Sequence, residues 1–187
     1  MRYSEHLRSD TREGLRARGW FPDRRADLTA VGAELARIGM PLNRPARTFL
    51  EEFHGLNLPT FAPVLGGCLH ANPIGLMTDL LYPEYAPHIA RFHPRPLCPI
   101  GYGGGLCLFV ADTGAVLWLD EQFRYFAYSR SLEVAVQNIF EGGPADSVTE
   151  WLWIPDGEAP YVEYPANGPP LVTPALPRAP LYPANVP

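Results

Sequence analysis

The distribution of proline limits where a packed core can form in this chain. Residues 155–187 contain ten prolines in thirty-three positions, and the apolar residues between them follow no helical or strand period. Proline lacks a backbone N–H and has a fixed φ, so this stretch is excluded from helices and from central strands. We therefore predict one folded domain over residues 1–154 and a Pro-rich C-terminal arm or tail over residues 155–187.

Two short helices are predicted in the first third of the chain. Asp27 can cap the first, whose apolar residues recur at helical spacing, and Gly39 lies where a left-handed C-terminal cap is expected. Asn43 can cap the second, which ends at Gly55. The Arg-rich stretch 4–18 is also predicted to be helical, but its apolar stripe is so weak that we expect it to lie loosely on the domain.

The clearest strand signal lies near the middle of the chain. Two apolar segments, residues 106–110 and 115–119, flank Asp112 and Gly114, a spacing typical of a hairpin turn. A third strand over residues 124–128 extends the hairpin into a meander, and a serine-capped helix follows. The sequence thus predicts an α+β fold, with an antiparallel β-meander sheet packed against N-terminal helices and one later helix.

Four short motifs carry a family resemblance. They are a Gly-Trp pair followed by Pro and Arg, a Phe-Leu-x-x-Phe-x-Gly-Leu segment, a Pro-Ile-Gly segment and an Asp-x-Gly turn. In this order they resemble the third subfamily of the SUKH superfamily, over roughly residues 15–142. His54 stands where the family pattern usually has a second glycine. The motif residues, which should shape the fold, are Gly19, Trp20, Phe49, Leu50, Phe53, Gly55, Leu56, Pro99, Ile100, Gly101, Asp112 and Gly114.

The resemblance implies a domain of Smi/Knr-like fold without catalytic residues or cofactors. It also implies an immunity protein, which binds a cognate bacterial polymorphic toxin and neutralises it by steric occlusion. The same fold leaves a second interpretation open, a general protein-interaction or scaffold module. A neighbouring gene for a large secreted toxin would favour the immunity function, and its absence would favour the scaffold.

Charge bears on the kind of partner. The chain carries a net charge of −5, and residues 51–187 hold five arginines against fourteen acidic residues. This balance argues against nucleic-acid binding, which needs a basic footprint. It is compatible with docking onto a basic partner such as a nucleic-acid-targeting toxin. No apolar run is long enough to span a bilayer, and residues 1–10 lack a signal-peptide core, so we expect a cytoplasmic protein without membrane contact.

Histidine and cysteine do not occur in a metal-binding pattern. His88, His93 and Cys98 are spaced by five residues and separated by prolines, so no single helix face can present them together. The three cysteines, which also include Cys68 and Cys107, contain no Cys-x-x-Cys pair and are expected to be buried free thiols. The sequence therefore predicts neither a metal site nor a cofactor.

Other patterns that resemble catalytic motifs have simpler interpretations. The glycine-rich segment 101–105 precedes a strand rather than a helix, so we predict a flexible loop instead of a phosphate site. Glu51 with Glu52, and Asp120 with Glu121, are sequence neighbours whose side chains point apart, and we expect them to be solvated. No enzyme is predicted.

Aromatic clusters near the end of the domain are candidates for partner contact. In a strand, Trp151 and Trp153 share one face, where large aromatic side chains either fill a core or anchor an interface. Both interpretations remain open for these residues. The candidate partner-binding residues are Trp151, Trp153, Tyr125, Tyr128, Asp120 and Glu121.

Overall fold

The structure, a computed structural model, describes residues 2–60, 67–74, 86–120, 125–141, 152–153, 161–163 and 171–173. A 3-10 turn over Tyr3–His6 opens the chain. The helices are α1 (Ser9–Arg16), α2 (Thr29–Arg37), α3 (Arg44–Phe53), α4 (Ala86–Ile89) and α5 (Leu132–Glu141). The strands are β1 (Asn57–Pro59), β2 (Cys68–His70), β3 (Leu97–Gly103), β4 (Leu106–Ala111), β5 (Val116–Asp120), β6 (Tyr125–Ser129), β7 (Leu152–Trp153), β8 (Tyr161–Glu163) and β9 (Leu171–Thr173).

Strands β1 to β7 form one antiparallel sheet in which the spatial order follows the sequence order. The predicted hairpin is confirmed, since β4 pairs with β5 in register from Leu106 opposite Asp120 to Val110 opposite Val116. Every residue of β4 and β5 is buried, so both faces of the central sheet are covered. The predicted α+β class and the meander are therefore confirmed.

Helix α3 begins and ends where the sequence indicates. The side-chain oxygen of Asn43 accepts a hydrogen bond from the Ala46 amide at 3.0 Å, while its amide nitrogen donates to the Val110 carbonyl of β4 at 2.8 Å. Gly55, in the left-handed region with φ +79°, directs the chain out of the helix. One asparagine thus both caps α3 and fixes it against the sheet.

Helix α2 begins one position later than an Asp27 cap would place it. Leu28 occupies the N-cap position without a side-chain cap, but the Asp27 carboxylate accepts the amide of Thr29 at 2.9 Å and its hydroxyl at 2.7 Å. The acidic residue therefore still satisfies an amide at the start of α2. Gly39 ends this part of the chain with φ +80°, as predicted.

The N-terminal stretch is fixed to the domain, contrary to the expectation that it lies loosely. Leu7 and Leu15 are both buried in the core. The carboxylate of Glu52 accepts hydrogen bonds from the backbone amides of Tyr3 at 2.7 Å and Ser4 at 3.2 Å. Glu52 is 2% exposed, so the prediction that it is solvated is wrong. The free amides of the 3-10 turn give its charge the partners that water would otherwise supply.

The glycine-rich segment is mainly strand, and the predicted flexible loop is wrong for most of it. Gly101 to Gly103 complete β3, and only Gly104 and Gly105 form the turn into β4, both with positive φ. The register of β3 against β4 shifts between Pro99 and Gly101, which marks a bulge. Glycine is required at position 101, because a Cβ there would lie 2.5 Å from the His70 carbonyl oxygen of β2.

Most of the Pro-rich arm lies outside the described residues. Within it, β8 and β9 pair antiparallel as a separate two-stranded sheet. The boundary between domain and arm stays a prediction.

Candidate protein-interaction surface

Two of the six predicted partner-binding residues lie inside the domain. Asp120, at the end of β5, is 1% exposed, and Tyr128, in β6, is 4% exposed. The Tyr128 ring lies 6.1 Å from the imidazole of His93, measured between centroids. The expectation that Asp120 is solvated is therefore wrong, and the surface proposed below includes neither side chain.

Of the other four, the structure describes only Tyr125 and Trp153. Tyr125 of β6 and Trp153 of β7 are directly opposed in the antiparallel register. Trp151 and Glu121 fall outside the described residues. The partner-binding role of these four residues stays a prediction.

The motif residues from two distant segments meet beside α3. A Cβ on Gly19 would lie 3.5 Å from a methyl carbon of Leu56, so the chain passes closely at this point. Trp20 is buried, with the guanidinium of Arg16 5.8 Å from its ring centroid. Deeper in the core, Phe53 lies within 5.0 Å of Phe49 and 5.6 Å of Phe140, measured between ring centroids.

The segment from Gly19 to Arg24, called here the Phe21 loop, presents an aromatic side chain to solvent. Trp20 and Phe21 are adjacent, and because Trp20 occupies the core, Phe21 points outward and is 56% exposed. Among the described residues only Val134, at 38%, is another large apolar side chain classed as exposed.

Several interactions hold the Phe21 loop in one conformation. Gly19 and Asp23 both adopt positive φ, at +92° and +64°, and the amide of Arg24 donates to the Phe21 carbonyl at 3.2 Å. The Asp23 carboxylate also pairs with Arg2 at 3.3 Å. Positive φ is uncommon for residues other than glycine, although aspartate tolerates it better than most.

Arg24 fixes the far end of this loop to the end of α3. Its two terminal nitrogens donate to the carbonyls of Glu52 at 2.8 Å and His54 at 2.7 Å. These are among the last carbonyls of the helix, which have no partner within it, so the guanidinium acts as a C-terminal cap. Burial lowers the pKa of Arg24 from its usual value.

Two exposed arginines precede Phe21 closely in the chain. Arg16 and Arg18 lie at the end of α1 and in the turn that follows it. Within the part of the chain that the structure describes, neither forms an ion pair with a carboxylate. We call Phe21, Arg16 and Arg18 together the Phe21 patch.

A surface groove of about 370 Å³ lies between the N-terminal turn, the start of α3 and the β4–β5 turn. Its charges are largely paired: Arg2 bonds Asp23, His6 lies 3.6 Å from Glu133, and Asp112 lies 3.2 Å from Arg95. Burial, together with the carboxylates of Glu52 and Glu133, raises the pKa of Tyr3, which also lines the groove, to about 12.

The three cysteines lie in three different strands, Cys68 in β2, Cys98 in β3 and Cys107 in β4. Cys98 donates to the Pro99 carbonyl, and burial raises its pKa to about 12, which disfavours the reactive thiolate. Cys107 is also buried, whereas Cys68 is half-buried. Within the described residues, no cluster of three His, Cys, Asp or Glu residues could hold a metal ion.

The exposure of Phe21 was not predicted from the sequence, although Phe21 directly follows the Gly-Trp motif of the family resemblance. A usable signal was present: adjacent aromatics in an extended segment point in opposite directions, so Trp20 and Phe21 could not both enter the core.

Comparison with known proteins gives one match. The family model described as SUKH-3 immunity protein matches residues 7–142, well over half of the chain. Comparisons with curated proteins and with solved structures found no match. In the described residues, no helix has the length and apolar character needed to cross a bilayer.

Proposed function

Since the chain belongs to the SUKH-3 immunity protein family, we propose that it binds a cognate bacterial toxin and neutralises it by covering the toxin's active site. The observation that carries this proposal is the extent of the family match. Residues 7–142 include α1 to α5 and the central strands, so the match spans the unit that forms the core.

In this proposal the protein acts by binding alone. A steric inhibitor needs a stable scaffold and a few desolvated anchors on its surface. The core described above supplies the scaffold, with Phe49, Phe53 and Phe140 packed between α3 and α5. The rigid, exposed Phe21 loop is of the kind that supplies an anchor.

We further propose that the toxin is basic and targets nucleic acid, as part of a polymorphic toxin system in the cytoplasm. The support is the net charge of −5, to which residues 142–187 contribute five acidic residues against one arginine. An acidic protein attracts a basic one at long range and so accelerates their encounter. The same charge disfavours nucleic acid as the direct partner of this chain.

The test is co-expression with the toxin domain encoded beside this chain. We expect the protein to restore growth to cells that produce the toxin and to co-purify with it in a fixed stoichiometry. The association rate should fall as salt concentration rises, because screening removes the long-range attraction.

Three results would count against the proposal. Continued toxicity without complex formation would contradict the immunity function. Absence of a toxin gene nearby would favour the scaffold interpretation. An association rate that is insensitive to salt would contradict the basic character of the partner while leaving immunity in place.

A further inference from the structure

The Phe21 patch combines the most exposed large apolar side chain of the described residues with two arginines that have no carboxylate partner among them. Phe21 is 56% exposed, more than Val134, the other exposed large apolar side chain of the described residues. A single exposed apolar residue is common on protein surfaces and carries no argument by itself. Here two arginines without carboxylate partners precede Phe21 by five and three residues in the chain, and aromatic and arginine side chains are the types enriched at interfaces.

The rigidity of the loop makes Phe21 suited to binding. The loop is fixed by the buried Trp20, by the Asp23–Arg2 pair at 3.3 Å and by the two bonds that Arg24 donates at 2.8 and 2.7 Å. A side chain on an already ordered loop loses little conformational entropy when a partner covers it. An exposed aromatic held in this way can contribute most of its burial energy to affinity.

The charges of the patch indicate what the partner offers. Arg16 and Arg18 have no carboxylate partner among the described residues, although the Arg16 guanidinium lies 5.8 Å from the centroid of the Trp20 ring, whereas Arg25 pairs with Glu51 at 3.6 Å. A complementary surface would place an apolar pocket opposite the ring and carboxylates at its rim.

We propose that the Phe21 patch is the contact site for the cognate toxin, with Phe21 entering an apolar pocket bordered by acidic side chains. This inference rests on the proposed function. It concerns the surface in direct contact and is compatible with a toxin of basic net charge, because net charge governs long-range approach and the patch governs docking.

The groove at the start of α3 is the principal competitor, and its charges argue against it. Arg2 and Asp112 form ion pairs with Asp23 and Arg95, and the imidazole of His6 lies 3.6 Å from the Glu133 carboxylate. Binding there would require these pairs to be exchanged for new ones, whereas the Phe21 patch can gain carboxylate partners without breaking an ion pair.

A single-stranded nucleic acid is the other class of ligand that an aromatic ring and arginines can bind. The observations favour a protein. Nucleic-acid affinity depends on several phosphate contacts, and this patch offers two arginines on a chain of net charge −5.

The first experiment compares two truncations of exposed apolar side chains. The affinity of the toxin domain encoded beside this chain is measured by calorimetry for the wild type, Phe21→Ala and the control Val134→Ala. We expect Phe21→Ala to weaken binding by about 30-fold or more, as for an interface anchor, and Val134→Ala to change it by less than about threefold. Both variants should melt within a few degrees of the wild type, because neither side chain is in the core.

The second experiment tests the charge. We expect Arg18→Glu to weaken binding by about tenfold or more, and Arg47→Glu, an exposed arginine of α3, to leave it nearly unchanged. Binding of a labelled 20-nucleotide single-stranded RNA is measured in parallel by fluorescence anisotropy.

The outcomes separate the inference from the function on which it rests. Wild-type protein that neutralises the toxin while Phe21→Ala and Arg18→Glu bind equally well would overturn the contact site and leave the function standing. Wild-type protein that neither binds nor neutralises the toxin would overturn both. RNA binding that Phe21→Ala abolishes would assign the patch to nucleic acid and overturn the protein contact.

Discussion

At the scale of single residues, several motif positions have direct geometric explanations. Gly101 lies where the β2 backbone comes close to β3, next to the bulge in β3. Gly19 allows the chain to turn with positive φ and to pass Leu56. The two glycines of the motif thus meet different requirements, since Gly101 accommodates a close backbone approach and Gly19 a positive φ.

Substitution of Gly101 by alanine should destabilise the protein by about 1–3 kcal/mol. An ideally placed Cβ at position 101 would lie only 2.5 Å from the His70 carbonyl oxygen, so the backbone would have to shift to make room for it. Gly14→Ala is the matched control. It lies in α1, and a Cβ added there would meet no atom within 4 Å, so the same change should stabilise by about 0.5–1 kcal/mol. Urea denaturation measures both, and equal effects at the two positions would contradict the explanation.

His54 should make stability depend on pH. Burial, with a further contribution from the charge of Arg24, lowers its pKa from the ordinary 6.5. The unfolded chain therefore takes up a proton near pH 6.5 and the folded chain only at lower pH, so stability falls as pH drops below about 6.5. The free energy of unfolding of His54→Gln should decrease less than that of the wild type between pH 7.5 and 5.5. Parallel pH profiles would contradict this role.

At the scale of elements, the end of α3 depends on a side chain from outside the helix. Arg24 reaches it from the Phe21 loop, thirty residues before His54 in the chain. The helix end and the exposed loop therefore support each other.

Arg24→Ala should destabilise the protein by about 1–2 kcal/mol, since two helix carbonyls lose a charged donor at a partly exposed site. Arg25→Ala is the adjacent control and should cost no more than about 0.5 kcal/mol, because its pair with Glu51 is on the surface. Thermal and urea denaturation compare the two. Exchange of the backbone amide hydrogens at the end of α3 should accelerate only in Arg24→Ala. Equal exchange rates in both variants would contradict the capping role of Arg24.

The elements that sequence reasoning located correctly are those whose signals are local. Asn43 and Gly55 bound α3, and Asp112 to Gly114 define the central hairpin, all within a few residues of the structure they specify. The sequence alone could not reveal that Glu52 is buried, because its hydrogen-bond partners lie 48 and 49 positions earlier. The Phe21 patch was not predicted either, because the tertiary packing of Trp20 decides which of the two adjacent aromatic side chains is exposed.

At the scale of the whole molecule, the described core is contained within the proposed domain. Every buried apolar side chain that the structure describes lies between Leu7 and Phe140. The proposed boundary at residue 154 follows the last strand paired with the main sheet, β7.

A chain ending at residue 154 should therefore fold, with a melting temperature within a few degrees of the full-length protein. A chain ending at residue 131 is the control. It lacks α5, which places Ile139 and Phe140 in the core, and should not fold cooperatively. Differential scanning calorimetry of the purified chains measures both. Loss of the cooperative transition in the chain ending at residue 154 would show that the arm belongs to the folding unit.

The sequential order of the sheet has a consequence for the rate of folding during synthesis. Strands β3 to β6 occupy residues 97–129, and each hydrogen-bonds to its immediate neighbours in the sequence. Pairings between nearby segments form faster than pairings between distant ones, and domains begin to form from the N-terminal side during synthesis. We expect the central sheet to become stable as soon as α5, which completes its core, has also left the ribosome, so that folding adds little delay to synthesis.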